Sequence, residues 1–184
     1  MIKKILDENP IIAAPRSDEA FYEAINSPVG IIIILNGNLE TLEQYVLSAH
    51  EKGKIIIIHI DLCGGLGKDI YALKHLKKIG ADGIASTKSH LIKSAKELGL
   101  VALQRFFIVD SQSLYTAYEN IRQTKPDMIE IMPGIMPRVI KEIKNHVALP
   151  VVAGGLISQR EDIIEALGAG ASGISTAKEN LWYE

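Results

Sequence analysis

Two textures alternate along the chain from one end to the other. Short, almost continuously apolar runs ("IIAA", "GIIIIL", "KIIIIHI", "DGIAS", "VALQRFFIV", "DMIEIM", "PVVAGG", "SGIS") are separated by longer stretches with apolar residues three and four apart. Phe21, Ala24 and Ile25 form one such set; Leu39, Leu42, Val46 and Ala49 the next; Ile70, Leu73, Leu76 and Ile79 a third. Leu91, Ile92, Ala95 and Leu98 continue the series, then Leu114, Ala117, Tyr118 and Ile121, then Val139, Ile140 and Ile143, and last Ile163, Ile164 and Leu167. That spacing places each set on one face of a helix. The boundaries agree: Ser158 with Glu161 reads as a capping box, Pro137 suits a first helical turn, and Gly53, Gly80, Gly99 and Gly168 stand where helices should stop.

Runs that are apolar throughout, instead of alternating, belong to strands covered on both faces, as in parallel sheets. Eight strand–helix units over 184 residues leave about 23 residues each, enough for a strand of ~5, a helix of ~10 and two short loops. The expected fold is a small, single-domain (β/α)8 TIM-like barrel over residues 1–184, with a degenerate last helix at "AKENLWYE". An open doubly wound sheet is the alternative, and it leaves strand-like runs over.

Composition narrows the setting. Apolar residues make up 47% and charged residues 23%, the balance of an ordinary globule. No apolar stretch reaches the roughly 20 residues that cross a bilayer, and "MIKKILDENP" lacks the apolar core of a signal peptide. One cysteine, Cys63, excludes an internal disulfide and fits a reducing, cytoplasmic location; it has no evident activating neighbour. A net charge of −2 gives no global attraction to nucleic acid, so any polyanion contact needs a local patch.

In such a barrel, ligands are met at the C-terminal ends of the strands. Those ends carry Arg16, Asn36, His59 with Asp61, Ser86 to Lys88, Asp110, Glu130 to Gly134, Gly154 with Gly155, and Ser175 with Thr176. The seventh and eighth ends suit a phosphate: glycines let backbone N–H groups approach an anion, and hydroxyls add donors. A tight turn and a helix cap are the plain alternative. His59 and Asp61 point the same way and form a hydrogen-bonding pair or, less simply, part of a metal site; no third ligand is evident, and no metal or cofactor is expected. Arg105 and Glu130 interrupt apolar runs on neighbouring strands and either pair structurally or bind hydroxyl groups. "DLCGGLGKD" fails as a phosphate loop, since Leu62 and Asp69 stand where glycine and Ser/Thr are required; it reads as a flexible loop at the mouth.

Taken together, "HIDL", "GLGKD", "ADGIASTKSHLIKSAKELGL", "QRFFIVDS", "IEIMPGIMPRVIKEI", "PVVAGGLI" and "GISTAKENLW" resemble the glycerol uptake operon antiterminator regulatory protein family of bacteria, from Arg16 to Trp182. The resemblance implies a non-enzymatic barrel that senses glycerol 3-phosphate and, when liganded, acts on the leader mRNA of glycerol-utilisation operons, allowing read-through and stabilising the transcript. On this chain the phosphate would lie at Gly154, Gly155, Ser175, Thr176 and Lys88. The glycerol moiety and the mouth would involve Arg16, His59, Asp61, Arg105, Glu130 and Gly134. RNA contact would fall to helix-borne cations, Lys74, Lys77 and Lys78 or Arg138 and Lys141, with a homo-oligomer able to join such patches. A barrel isomerase or lyase acting on a small phosphorylated metabolite is the rival reading.

Overall fold

A computed structural model describes residues 2–184. Eight parallel strands close into a barrel in sequence order: β1 (Ile11–Ala13), β2 (Ile31–Ile34), β3 (Ile55–His59), β4 (Gly83–Ser86), β5 (Val101–Phe107), β6 (Met128–Met132), β7 (Val151–Gly154) and β8 (Gly173–Thr176). β8 pairs back onto β1 through Ile12 and Ser175, which excludes the open sheet. Seven α-helices follow the first seven strands: α2 (Asp18–Asn26), α3 (Leu42–Glu51), α4 (Ile70–Lys78), α5 (Ser89–Glu97), α6 (Ser111–Thr124), α7 (Pro137–His146) and α8 (Arg160–Gly168). A 3-10 turn, Glu179–Tyr183, takes the eighth place, as the short "AKENLWYE" segment foretells.

The uninterrupted apolar strands divide their side chains between two cores. Ile12, Ile31, Ile33, Ile57, Ala85, Leu103, Met128 and Val152 fill the barrel interior. Their neighbours Ile32, Ile34, Ile56, Ile58, Ile84, Ile129 and Ile174 face the helix layer. Period-2 alternation is therefore present, but both faces are apolar. Beside the eighth strand end, the fully buried Trp182 donates its indole N–H to the Thr176 carbonyl at 2.9 Å.

An additional helix, α1 (Ile2–Glu8), lies ahead of the first strand and was not foreseen from the apolar spacing. Leu6 is its one buried residue and joins the interior core, with Ile2 and Ile5 packed against it. The helix thus stoppers the N-terminal end of the barrel. Gly30 and Gly173 lie at this end, where a Cβ would run into Ile5 and Leu6 respectively.

Two boundaries differ from expectation. The eighth helix is capped one residue later than the Ser158–Glu161 box: Gln159 is the N-cap, and Asp162 accepts from the backbone N–H groups of Ser158 (2.8 Å) and Gln159 (3.1 Å). Leu39 is not helical, because the Asn38 side chain accepts from Glu40 and Thr41 N–H in a turn that delays α3 until Leu42. Replacing Leu6 with Ala should cost about 2–5 kcal/mol in urea unfolding, since the stopper would lose its one interior anchor; a cost below ~1 kcal/mol would show α1 to be dispensable.

Candidate functional site

The polar residues of the interior gather in its upper part, toward the C-terminal ends of the strands. Arg105 and Glu130 stand side by side in register on β5 and β6, and Arg105 Nε donates to Glu130 Oε2 at 2.6 Å. Glu130 is completely buried and Arg105 nearly so. Gly154 on β7 makes this possible, because a Cβ there would overlap the Glu130 carboxylate. His59 is buried in β3. Both His59 ring nitrogens, Arg105 Nη2 and Glu130 Oε1 lack hydrogen-bond partners among the described residues, a costly set of groups to desolvate. Burial pushes the His59 pKa down to about 4; the Arg105 charge acts in the same direction, and Asp61 opposes it. The imidazole is therefore neutral at physiological pH, able to donate from one nitrogen and accept at the other.

Above this floor the mouth opens into two overlapping cavities of about 500 and 620 Å³. They share Arg16, Leu35, Arg105, Met132, Gly155 and Leu156. Ser175, Thr176 and Lys178 line the smaller one, so three cationic side chains, Arg16, Arg105 and Lys178, border a space also walled by the β7 and β8 loops. Gly155 and Leu156 both have positive φ, +76° and +62°.

The candidates from the sequence take different places. Arg16, Arg105, Gly155, Ser175 and Thr176 do line the cavity. Thr176 has its hydroxyl committed, however, donating to Ile157 O at 3.1 Å and accepting from Lys178 N–H. His59 and Glu130 lie beneath it. Gly154 acts by making room for Glu130, and Gly134 by letting the β6 loop touch β7, where a Cβ would lie 2.7 Å from Gly154 N. Asp61 is tied down: Oδ1 accepts from Ser86 Oγ (2.8 Å), and Oδ2 from Thr87 N–H (2.7 Å) and Oγ1 (3.0 Å). Burial resists ionisation of Asp61, but these donors outweigh it and hold the carboxyl below its usual range. Lys88 is exposed and borders neither cavity.

The β3–α4 loop, 60–69, is pinned where the sequence suggested flexibility. The Lys68 ammonium bonds the Ile60 and Cys63 carbonyls, Gly64 N–H donates to Gly37 O, and Asp69 caps α4. Burial pushes the Cys63 thiol up to about 11, which keeps it protonated and inert. Of the proposed RNA contacts, Lys74, Lys77 and Lys78 are on α4 and Arg138 and Lys141 on α7, helices that are not neighbours in the ring. Lys77 bonds the Leu98 carbonyl, and Lys74 lies 5.6 Å over the Tyr71 ring. No group of three or more metal-ligating side chains exists among the described residues.

Lys178 was missed by motif reading, though an internal repeat signals it. "IGADGIASTK" (79–88) and "AGASGISTAK" (169–178) share Gly, Ala, Gly, Ile and the final Lys in place. The structure reproduces the repeat: Lys88 N–H bonds Ser86 Oγ at 3.0 Å and Lys178 N–H bonds Thr176 Oγ1 at 3.1 Å.

Two outcomes test the floor. Glu130→Ala would leave a buried, unpaired Arg105 and should cost about 3–5 kcal/mol in chemical denaturation; a change under ~1 kcal/mol would show that Arg105 finds water or another partner. His59 takes up its proton at pH 6.5 when unfolded and at about 4 when folded, so the unfolded state binds more protons between those values. Stability should therefore fall as pH drops from 6.5 to 4, by up to about 3 kcal/mol, and His59→Gln should flatten that slope.

Comparison with known proteins places this geometry. The family model described as glycerol-3-phosphate responsive antiterminator matches residues 11–182. The uncharacterised protein YgcP of Escherichia coli (strain K12) is 36% identical over 179 residues, covering 97% of this chain and 94% of YgcP. The crystal structure of the glycerol uptake operon antiterminator regulatory protein of Listeria monocytogenes superposes with a TM-score of 0.90 at 31% identity, covering 95% of each chain. A glycerol uptake operon antiterminator-related protein of Thermotoga maritima gives 0.84 at 31% identity, over 94% of this chain and 96% of its own. The chain belongs to the glycerol-3-phosphate responsive antiterminator family.

Proposed function

We propose that this barrel is a glycerol 3-phosphate sensor whose liganded form acts on the leader mRNA of glycerol-utilisation operons, promoting read-through of a terminator and stabilising the transcript. The observation that carries the reading is the mouth cavity: about 500 Å³, walled by the β7 and β8 loops and bordered by Arg16, Arg105 and Lys178. Three cations suit a phosphate dianion, and Gly155 brings backbone close to it. The glycerol end would point to the floor, where Arg105 offers donors and His59 and Glu130 lie behind with uncommitted polar atoms. No helix among the described residues is long and apolar enough to cross a membrane, which is compatible with a cytoplasmic regulator.

Binding without turnover is favoured by how the ionisable groups are placed. The strands contain no lysine for a Schiff base. Asp61 is occupied by three donors, Glu130 is paired through one oxygen with Arg105, and His59, its pKa pushed down to about 4 by burial, is a weak base.

Thermal unfolding with glycerol 3-phosphate, glycerol and inorganic phosphate tests the sensor. A millimolar excess of glycerol 3-phosphate should raise the midpoint by several degrees, glycerol should not, and phosphate should do so weakly. No shift with glycerol 3-phosphate at that concentration would sink the reading, and its consumption would instead support a barrel enzyme. Leader-RNA affinity should depend on the ligand and fall steeply with salt.

A further inference from the structure

A sensor has to couple its effector to its target, and the mouth offers little that moves. Lys68 and Asp69 pin the 60–69 loop, Thr176 bonds the Ile157 carbonyl, and Gly134 N–H donates to the Gly155 carbonyl. In a mouth held this way, a partner registers the ligand by touching it. The larger cavity, about 620 Å³, supplies the place. It shares Arg16, Arg105 and Leu156 with the effector's cavity and continues over Asn36, Leu62, Phe107 and Pro133.

That extension has a specific chemistry. Phe107 ends β5 with 57% of its surface exposed, and Leu62 and Leu156 are exposed on the same wall. Two residues beyond Phe107 and Pro133, Val109 and Ile135 are exposed as well. Val109 is held in place, its N–H bonded to Ser113 Oγ at 3.0 Å. The charged side chains on the cavity wall are both cations, Arg16 and Arg105. Arg105 Nη2 and Asn36 Oδ1 are enclosed without a hydrogen-bond partner among the described residues. An open aromatic face, two guanidinium groups and an unsatisfied amide are the groups that receive an unstacked nucleobase and its phosphate. An apolar side chain from a protein partner would leave the amide unsatisfied.

We propose, building on the sensor reading, that an unpaired base of the leader RNA enters this second cavity, stacks on Phe107 and is met along its edge by Asn36, beside the bound effector. RNA contact then lies at the mouth of the barrel instead of on α4 or α7. Effector and base share a wall, so each completes the other's site and no segment has to close. By linkage, RNA tightens effector binding by the same factor as the effector tightens RNA binding.

Fluorescence anisotropy of a labelled leader transcript, with and without glycerol 3-phosphate, tests this alongside calorimetry of effector binding in the absence of RNA. Phe107→Ser should weaken the liganded protein's RNA affinity at least tenfold, and Phe107→Tyr should keep it within about threefold. Effector affinity should stay within twofold in both, and circular dichroism should be unchanged because the ring is exposed. A transcript carrying 4-thiouridine in its unpaired segments should crosslink to the peptide 101–110. Leader affinity unchanged in Phe107→Ser, or crosslinks confined to α4 or α7, overturns this inference and leaves the sensor reading standing. Loss of effector affinity in Phe107→Ser overturns it too, by making Phe107 an effector contact. If the unaltered chain binds glycerol 3-phosphate but no leader RNA, this inference falls together with the RNA half of the reading.

Discussion

A carboxylate with no exposure to water has to be matched by a partner, and Glu130 sets the terms for everything around it. Arg105 must arrive in register on the adjacent strand, which it does through direct β5–β6 pairing. β7 must end in a residue without a side chain, which Gly154 supplies. Burial, helped by the Arg105 cation, drives His59 to its neutral form. Replacing the ensemble with well-packed aliphatic side chains should give a barrel of equal or greater stability, as is common for buried pairs.

The sequence was legible where repetition overrode detail. Eight apolar runs with helical stretches between them translate directly into eight strands and their helices, because a parallel strand buried on both sides has no other pattern available. Arg105 and Glu130 stood out for the same reason: charges inside otherwise apolar strands. Three things were hidden. α1 buries one leucine, too little for a periodic signal. Gly154 looked like a phosphate contact because a glycine that makes room for a neighbouring carboxylate and a glycine that admits a ligand are the same letter. The state of Asp61 depends on Ser86 and Thr87, donors 25 and 26 residues away that only strand pairing brings near. The capping shift from Ser158 to Gln159 is of a different kind, a choice between adjacent residues settled by which carboxylate reaches the free N–H groups.

The mouth is stiffly built on the side where "DLCGGLGKD" reads as a flexible loop. With the 60–69 loop held by Lys68, Asp69 and backbone contacts to the Gly37–Leu39 turn, a ligand has little to close there. A ligand shifts a protein only through contacts that differ between two states. The β7 and β8 loops are tied as well, through Thr176 to Ile157 and Gly155 to Gly134. The basic residues of α4 and α7 lie on separate sectors of the ring, and neither touches the cavity.

Trp182 is the chain's one tryptophan. Its indole is fully enclosed and tethered to the carbonyl of Thr176, immediately before the loop that carries Ala177 and Lys178. An emitter so shielded from water, coupled by one hydrogen bond to the wall of the cavity, amounts to a native optical gauge. Its colour and intensity record the state of the eighth loop without any label being added.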